Sequence, residues 1–172
     1  RNAEIVSHLH HAADWGISFD NLRLDYGKAI DRSRQVVQRL TRGVQTLLKK
    51  NKVEVAKGQG TLRDAHTIAV DGHTLTASNV IIATGARPRP IPPLPVDGKL
   101  TITSREALEL RDVPPRVVIV GGGAVGVEFA YVYSSYGAKV TIVELLPRIV
   151  PNEDEEISQH LERSLTKQGM TI

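Results

Sequence analysis

A glycine-rich turn, Gly121–Gly126, with the spacing G-x-G-x-x-G, limits the possible folds of this chain more than any other segment. The β-branched run Val117–Val120 before the turn predicts a strand, and the residues after it predict a helix through about Tyr136. A second predicted strand, Lys139–Val143, ends at Glu144. Glycines at this spacing within a βαβ unit of about 30 residues, followed by an acid, are typical of a dinucleotide-binding fold.

Each glycine of the turn has a predicted physical role. Gly121 permits the tight turn out of the strand, Gly123 lets a pyrophosphate approach the backbone, and Gly126 lets the helix pack against the strand. The unpaired N–H groups and positive dipole end at the start of the helix favour binding of the phosphates. The alternative is a glycine-rich turn in some other βαβ fold.

The acid at the end of the second strand predicts which dinucleotide is bound. The Glu144 carboxylate can accept hydrogen bonds from both hydroxyls of the adenosine ribose, and its charge would repel a 2′-phosphate. The pattern therefore favours NAD over NADP. Arg148 is the nearest arginine that could bind a 2′-phosphate.

The first half of the chain predicts helices followed by short strands. A short helix is expected at about Ala3–Ala13, and a long helix capped by Asp25 carries apolar residues at steps of three and four. From Val53 to Gly85 the apolar period changes to two, and Asp71–Gly72 is a strong hairpin signal. The apolar run Val80–Ala83 predicts a strand buried on both faces.

A proline-rich stretch separates the two halves. Five prolines between Arg87 and Pro95 exclude a helix or central strand and indicate an extended linker. Thr103 and Glu106 have the spacing of a capping box and predict a short helix through Leu110. The order of elements on the two sides of the linker predicts an α/β protein.

Composition argues against several other classes of function. The chain has no cysteine, so it holds no disulfide framework, thiolate metal site or thiol nucleophile. The histidines at 8, 10 and 11 lack the i, i+4 spacing of a helical metal site, and we expect no bound metal. A net charge of +3 and 4% aromatic residues do not indicate nucleic-acid binding. No apolar stretch is long enough to predict a membrane span.

Four segments together resemble the pyridine-nucleotide disulfide oxidoreductases, and the resemblance covers essentially the whole chain. The segments are Val80–Pro88, Arg116–Glu128, Val140–Glu144 and Glu153–Ile157. The resemblance implies two dinucleotide-binding Rossmann-like domains, both incomplete, with a small antiparallel β-meander inserted in the FAD domain. Residues 1–113 would belong to the FAD-binding domain, with a linker at 87–113, and residues 114–172 would begin the NAD-binding domain.

The resemblance also implies which residues contact FAD and NAD. The FAD contacts implied are Gly60, Thr84, Gly85 and Ala86. The NAD contacts implied are Gly121, Gly122, Gly123, Ala124, Val125, Gly126, Val127, Glu128 and Glu144. For Gly60 the alternative is a plain kink in a strand. For Glu128, which would lie near the contact between flavin and nicotinamide, the alternative is a solvated helix acid.

Within the family, the chain is most similar to the members that reoxidise dihydrolipoyl groups of 2-oxo acid dehydrogenase complexes. The resemblance implies electron flow through a cysteine pair and FAD to NAD⁺, lipoyl domains as partners, a homodimer, and a cytoplasmic or organellar-matrix location. The family's first glycine turn, its cysteine pair and its C-terminal histidine–glutamate pair have no counterpart here. We therefore expect an internal piece of a longer protein, with no catalytic residue and no dehydrogenase activity of its own.

Three alternatives to this function stay open. The chain could belong to a sister enzyme such as a glutathione- or mercury-reducing member, although those members generally use NADPH. It could belong to a flavin-dependent NADH oxidase or peroxidase that has no lipoyl substrate. It could also be a non-catalytic fragment that only binds nucleotide.

Overall fold

The computed structural model describes residues 1–172 as an α/β protein with two compact units. One unit comprises residues 1–33 and 96–172, and the other comprises residues 34–95. This grouping rests on contacts within the chain, and the domain boundary near residue 113 stays a prediction. The helices are α1 (Asn2–His10), α2 (Tyr26–Lys50), α3 (Ser104–Ala107), α4 (Ala124–Ser135) and α5 (Glu155–Lys167). The strands are β1 (Gly60–Asp64), β2 (Thr67–Val70), β3 (His73–Thr76), β4 (Arg116–Val120) and β5 (Lys139–Val143).

The unit of residues 34–95 contains an antiparallel meander of β1, β2 and β3. The predicted hairpin is confirmed, because Val70 pairs with His73 across the turn at Asp71 and Gly72. Both turn residues have positive φ, 45° and 87°, as the favoured two-residue hairpin turn requires. The meander is therefore built by local turn chemistry together with alternating residues.

The strand predicted at Val80–Ala83 was wrong. Residues 80–83 form no strand, and residues 81–83 are exposed. The alternating residues Val53–Val55 also form no strand. The side chain of Ile81 is 91% exposed. A strand forms only where a neighbouring strand accepts and donates its backbone hydrogen bonds, and residues 80–83 belong to neither sheet of this chain.

The long helix α2 begins directly after Asp25, as predicted. Asp25 caps its first turn, with its carboxylate accepting a hydrogen bond from the Lys28 N–H at 2.9 Å. At the buried start of the helix, the ring of Tyr26 packs edge-on against that of Tyr136 at 4.9 Å. The later part of the predicted apolar stripe is exposed at Val37, Leu40, Val44 and Leu47.

The other unit is built around the parallel pair of β4 and β5, which α4 connects. The register Val117↔Val140 and Ile119↔Ile142 aligns the two strands residue by residue. Beyond β5, Thr171 extends the sheet by accepting from the Ile142 N–H at 2.8 Å. Buried apolar side chains from the start of α2, from α4, β5 and α5, and from the loops that follow these elements form the core of this unit.

The remaining short elements differ from the predictions mainly in length. The first helix ends at His10, and a 3₁₀ turn covers Ala12–Trp15. The capping box is confirmed, since Thr103 and Glu106 hydrogen bond each other's backbone as well as each other's side chains. None of the helices is both long enough and apolar enough to cross a bilayer.

Candidate functional site

The glycine turn lies between β4 and α4, as predicted, and the chain itself requires glycine at two of the three positions that the motif specifies, 121 and 126. Gly121 has φ 106°, a conformation that favours glycine, and its N–H donates to the Val143 carbonyl at 2.8 Å. A Cβ on Gly126 would overlap the carbonyl oxygen of Gly121 and approach Ile119. These contacts agree with the roles predicted for a tight turn and for close packing of helix on strand.

Gly123 is different, because nothing in the chain requires a glycine at this position. It is the N-cap of α4 with φ −74°, and no atom lies within 4 Å of the place where its Cβ would be. No side chain caps α4, so the first N–H groups of the helix are not taken by a cap. An open approach to the backbone, next to uncapped N–H groups at a helix N-terminus, fits a phosphate group.

Glu144 leaves the end of β5 with both carboxylate oxygens bound to backbone N–H groups. Oε2 accepts from Gly122 at 2.7 Å and Oε1 accepts from Leu146 at 2.9 Å. The hydrogen bond from Leu146, and next that from Gly122, lower the pKa of Glu144 below its usual value. The carboxylate is therefore ionised and oriented, and each oxygen retains a lone pair for a further donor.

The sequence did not reveal the structural importance of Gly122. Its N–H donates to Glu144, and its carbonyl accepts from the Val150 N–H at 2.7 Å. A Cβ on this residue would lie 2.7 Å from Cγ2 of the buried Ile149. The position is a free one in G-x-G-x-x-G, so the motif gives no signal for this requirement.

The other residues of the predicted NAD set lie on the first turns of α4. Ala124, Val125 and Glu128 are exposed, whereas Val127 is partly buried against the core. Glu128 therefore lies at the surface of this chain, close to the glycine turn in sequence.

Arg148 does not extend toward Glu144 as a free cation. Its Nη2 donates to the carbonyl oxygens of Pro151 at 3.1 Å and Glu153 at 3.3 Å. The guanidinium thus stabilises the loop after β5, which accounts for this arginine without a 2′-phosphate.

The residues matched to an FAD site lie in the unit of residues 34–95. Gly60 begins β1, and a Cβ there would make only an ordinary contact of 3.6 Å with Ile68. Gly58, two residues earlier, has φ 142°, and a Cβ on it would collide with Asp71. Thr84, Gly85 and Ala86 are exposed, and Gly85 has φ 78°. Before β1, the structure therefore requires glycine at position 58, whereas it makes no steric demand for glycine at position 60.

Comparisons with known proteins agree on one family. The family model described as pyridine nucleotide-disulphide oxidoreductase matches residues 3–172. A dihydrolipoyl dehydrogenase of Chlorobaculum parvum is 46% identical over 177 residues, which cover 100% of this chain and 38% of the relative. One from Mycobacterium tuberculosis is 42% identical over 179 residues, with the same two coverages. The chain thus spans 38% of the length of these curated relatives.

Two solved structures share this fold over almost the whole chain. LpdA of Mycobacterium tuberculosis superposes with a TM-score of 0.84 at 27% identity, covering 99% of this chain and 39% of that one. RclA of Escherichia coli, a flavoprotein disulfide reductase, superposes with a TM-score of 0.70 at 29% identity, covering 97% and 37%. Proteins of the matched family are oxidoreductases that use FAD and NAD(H). The chain belongs to the pyridine nucleotide-disulphide oxidoreductase family.

Proposed function

We propose that residues 116–144 bind the adenosine half of NAD(H) in a dihydrolipoyl dehydrogenase. The observation that carries this proposal is the carboxylate of Glu144, which two backbone N–H groups orient beside the glycine turn. One lone pair on each oxygen is left for the two ribose hydroxyls. Gly123 and the uncapped start of α4 would receive the pyrophosphate.

The unit of residues 34–95 would contribute to the binding of FAD through Gly60, Thr84, Gly85 and Ala86. The absence of a steric demand for glycine at position 60 supports a ligand contact there. Gly121–Val127 and Glu144 would hold NAD, and Glu128 would lie near the contact between nicotinamide and flavin. When bound, the two cofactors carry the electrons and the hydride, and this chain's residues bind and orient them.

The whole protein would reoxidise dihydrolipoyl groups of 2-oxo acid dehydrogenase complexes and would act as a homodimer. The curated relatives named dihydrolipoyl dehydrogenase support this activity. Residues 1–113 and 114–172 would be the incomplete FAD- and NAD-binding Rossmann-like domains. We place the whole protein in the cytoplasm, with an organellar matrix as the alternative.

A second candidate is a flavoprotein disulfide reductase with another substrate, and the likeness to RclA favours it. The two candidates differ in the disulfide or dithiol that they use. Turnover with dihydrolipoamide as electron donor would support the first candidate. Turnover only with other disulfides as electron acceptors would support the second.

The first test of NAD binding is the choice between NADH and NADPH in the complete protein. We expect kcat/KM to favour NADH, because the Glu144 carboxylate accepts hydroxyls and repels a phosphate. Glu144→Ala should reduce the preference for NADH over NADPH, expressed as a difference in activation free energy, by about 1–3 kcal/mol. Equal use of both cofactors by the unaltered protein would contradict the proposal.

Glu144→Gln is the matched control, because it removes the negative charge of the Glu144 side chain and keeps its size and shape. The amide NH₂ of glutamine would face the N–H of either Gly122 or Leu146, since both carboxylate oxygens are acceptors. We therefore expect this isosteric change to weaken NADH binding at least as much as alanine does. Near-normal affinity in Glu144→Gln would show that the two backbone contacts do not orient a ribose acceptor.

The second test is the chain of residues 1–172 alone, for which we propose no dehydrogenase activity. In the family's route, a dithiol substrate passes two electrons to a disulfide formed by a cysteine pair of the enzyme. This chain has no cysteine, so it cannot form that disulfide. Flavin absorbance and dihydrolipoamide-driven reduction of NAD⁺ should both stay at the buffer level. A yellow protein with turnover would contradict this account.

A further inference from the structure

Ser158 is the one fully buried polar side chain of the core. Its hydroxyl binds the loop that follows β5 and contacts the glycine turn. It is 0% exposed on α5, and its Oγ donates to the carbonyl oxygen of Ile149 at 2.6 Å. Ile149 is also buried and lies against Gly122. A buried carbonyl without its partner would lose a hydrogen bond that water could not replace.

The next residue in the loop, Val150, adopts an unfavourable backbone conformation. Its φ is 41°, in the left-handed region that β-branched residues rarely occupy. In this conformation its N–H donates to the Gly122 carbonyl at 2.7 Å, and its own carbonyl accepts from the Glu153 N–H at 2.9 Å. A strained residue persists only where surrounding contacts fix it, and the Ser158 bond fixes the residue immediately before it.

We propose that Ser158 is a positioning residue for NAD binding, although it lies outside the binding motif. Its hydroxyl fixes the Ile149 carbonyl and thereby keeps Val150 in the conformation that binds the Gly122 carbonyl. Gly122 in turn donates its N–H to the Glu144 carboxylate, which fixes the position of that carboxylate relative to the glycine turn. This inference rests on the proposed function, because it concerns the same nucleotide site.

The proposal predicts an effect on adenosine recognition that a general loss of stability would not produce. In the complete protein, Ser158→Ala should raise the Kd for ADP-ribose about three- to tenfold by titration calorimetry. ADP-ribose carries the adenosine, the pyrophosphate and no nicotinamide, so it measures this site without flavin chemistry. FAD content should stay normal. Ser164→Ala is the matched control, because Ser164 is an exposed serine on the same helix.

A second substitution tests the positioning role in a background that also lacks the buried Val150 side chain. Val150→Gly removes the cost of the left-handed conformation, since glycine adopts positive φ as readily as negative. The effect of Ser158→Ala on the Kd for ADP-ribose should therefore be smaller in a Val150→Gly background. Ser158→Cys, with a weaker donor of similar shape, should lie between serine and alanine and provides a second probe if the alanine variant folds poorly.

The outcomes distinguish this inference from the proposed function. An unchanged Kd in folded Ser158→Ala or Ser158→Cys, or a loss of FAD content equal to the loss of affinity, would overturn the positioning role. Gly123→Ala serves as the reference for the nucleotide site itself. If Gly123→Ala abolishes binding while Ser158→Ala does not alter it, only this inference fails. If neither variant alters binding, the proposed nucleotide site is wrong as well.

Discussion

Two apolar runs in this chain have similar sequences and different structures. Val117–Val120 and Val80–Ala83 are each followed closely by a glycine with positive φ, Gly121 at 106° and Gly85 at 78°. The first run is part of strand β4, whereas the second forms no strand and is exposed at residues 81–83. An apolar run followed by a glycine turn therefore does not form a strand by itself.

The first run forms a strand because its hydrogen-bonding partner follows it in the same chain. Helix α4 returns the chain, and β5 then pairs with β4 over all five residues. The Gly121 N–H extends this pairing by one more bond to Val143. The second run belongs to neither sheet, so no neighbouring strand provides hydrogen-bonding partners for its backbone.

We expect the largest difference between the two segments in amide hydrogen exchange. In the chain of residues 1–172, the Ile142 amide should exchange about a thousandfold or more slowly than the Ile81 amide. Ile142 is buried and its N–H donates to Thr171, whereas the Ile81 side chain is 91% exposed. Exchange measured by NMR or mass spectrometry checks this, and equal protection of both segments would contradict the comparison.

Alanine substitution at the two turns should give the next largest difference. Gly126→Ala should destabilise the protein by about 3 kcal/mol, because its Cβ would overlap the Gly121 carbonyl. Gly85→Ala should cost only about 1–2 kcal/mol, from its left-handed conformation, since no atom lies near its Cβ. Urea unfolding of the two variants measures the difference. A Gly126→Ala protein as stable as the unaltered one would refute the packing role of Gly126.

Gly123→Ala should separate ligand binding from folding within the first turn. Its Cβ meets open space and its φ is −74°, so the free energy of unfolding should change little. The Kd for NAD⁺ should rise about tenfold or more, because the methyl group would lie where a phosphate approaches. Calorimetry on the complete protein, with FAD content as control, tests this. Unchanged affinity in the folded variant would remove Gly123 from the proposed site.

The smallest expected effect concerns pH. Hydrogen bonds from Leu146 and Gly122 lower the pKa of Glu144, so the ionised form is favoured in the folded chain. The stabilisation of the folded chain by ionised Glu144 is fully present above the usual pKa of 4.5. It is lost as the pH falls through the lowered pKa of the folded state. Between about pH 5.5 and 8, the titration of Glu144 should therefore change the Kd for ADP-ribose by less than about twofold. A titration in that range that Glu144→Ala abolishes would contradict the assignment.

The comparison also explains how much of the molecule was predictable from sequence. β4, α4, β5 and the Asp71–Gly72 hairpin follow from local patterns whose partners lie nearby in the chain. The strand expected at Val80–Ala83 was wrong, because periodicity reports burial without reporting a pairing partner. At the site, Gly121 and Gly126 were predictable from motif spacing. The contribution of Ile149, Val150 and Ser158 was not, since it depends on a loop and a helix that pack behind the turn.

Both backbone groups of Gly122 form hydrogen bonds to residues outside the glycine turn, and this limits how the turn could be moved into another protein. Grafting only the six residues Gly121–Gly126 onto another βαβ scaffold would leave the Gly122 carbonyl and N–H without Val150 and Glu144. A transferable segment would run from β4 through Ser158, so that it includes the turn, Glu144, the loop after β5 and the first turn of α5. For protein engineering, the transferable module is therefore the strand–helix–strand–loop segment rather than the glycine motif that identifies it.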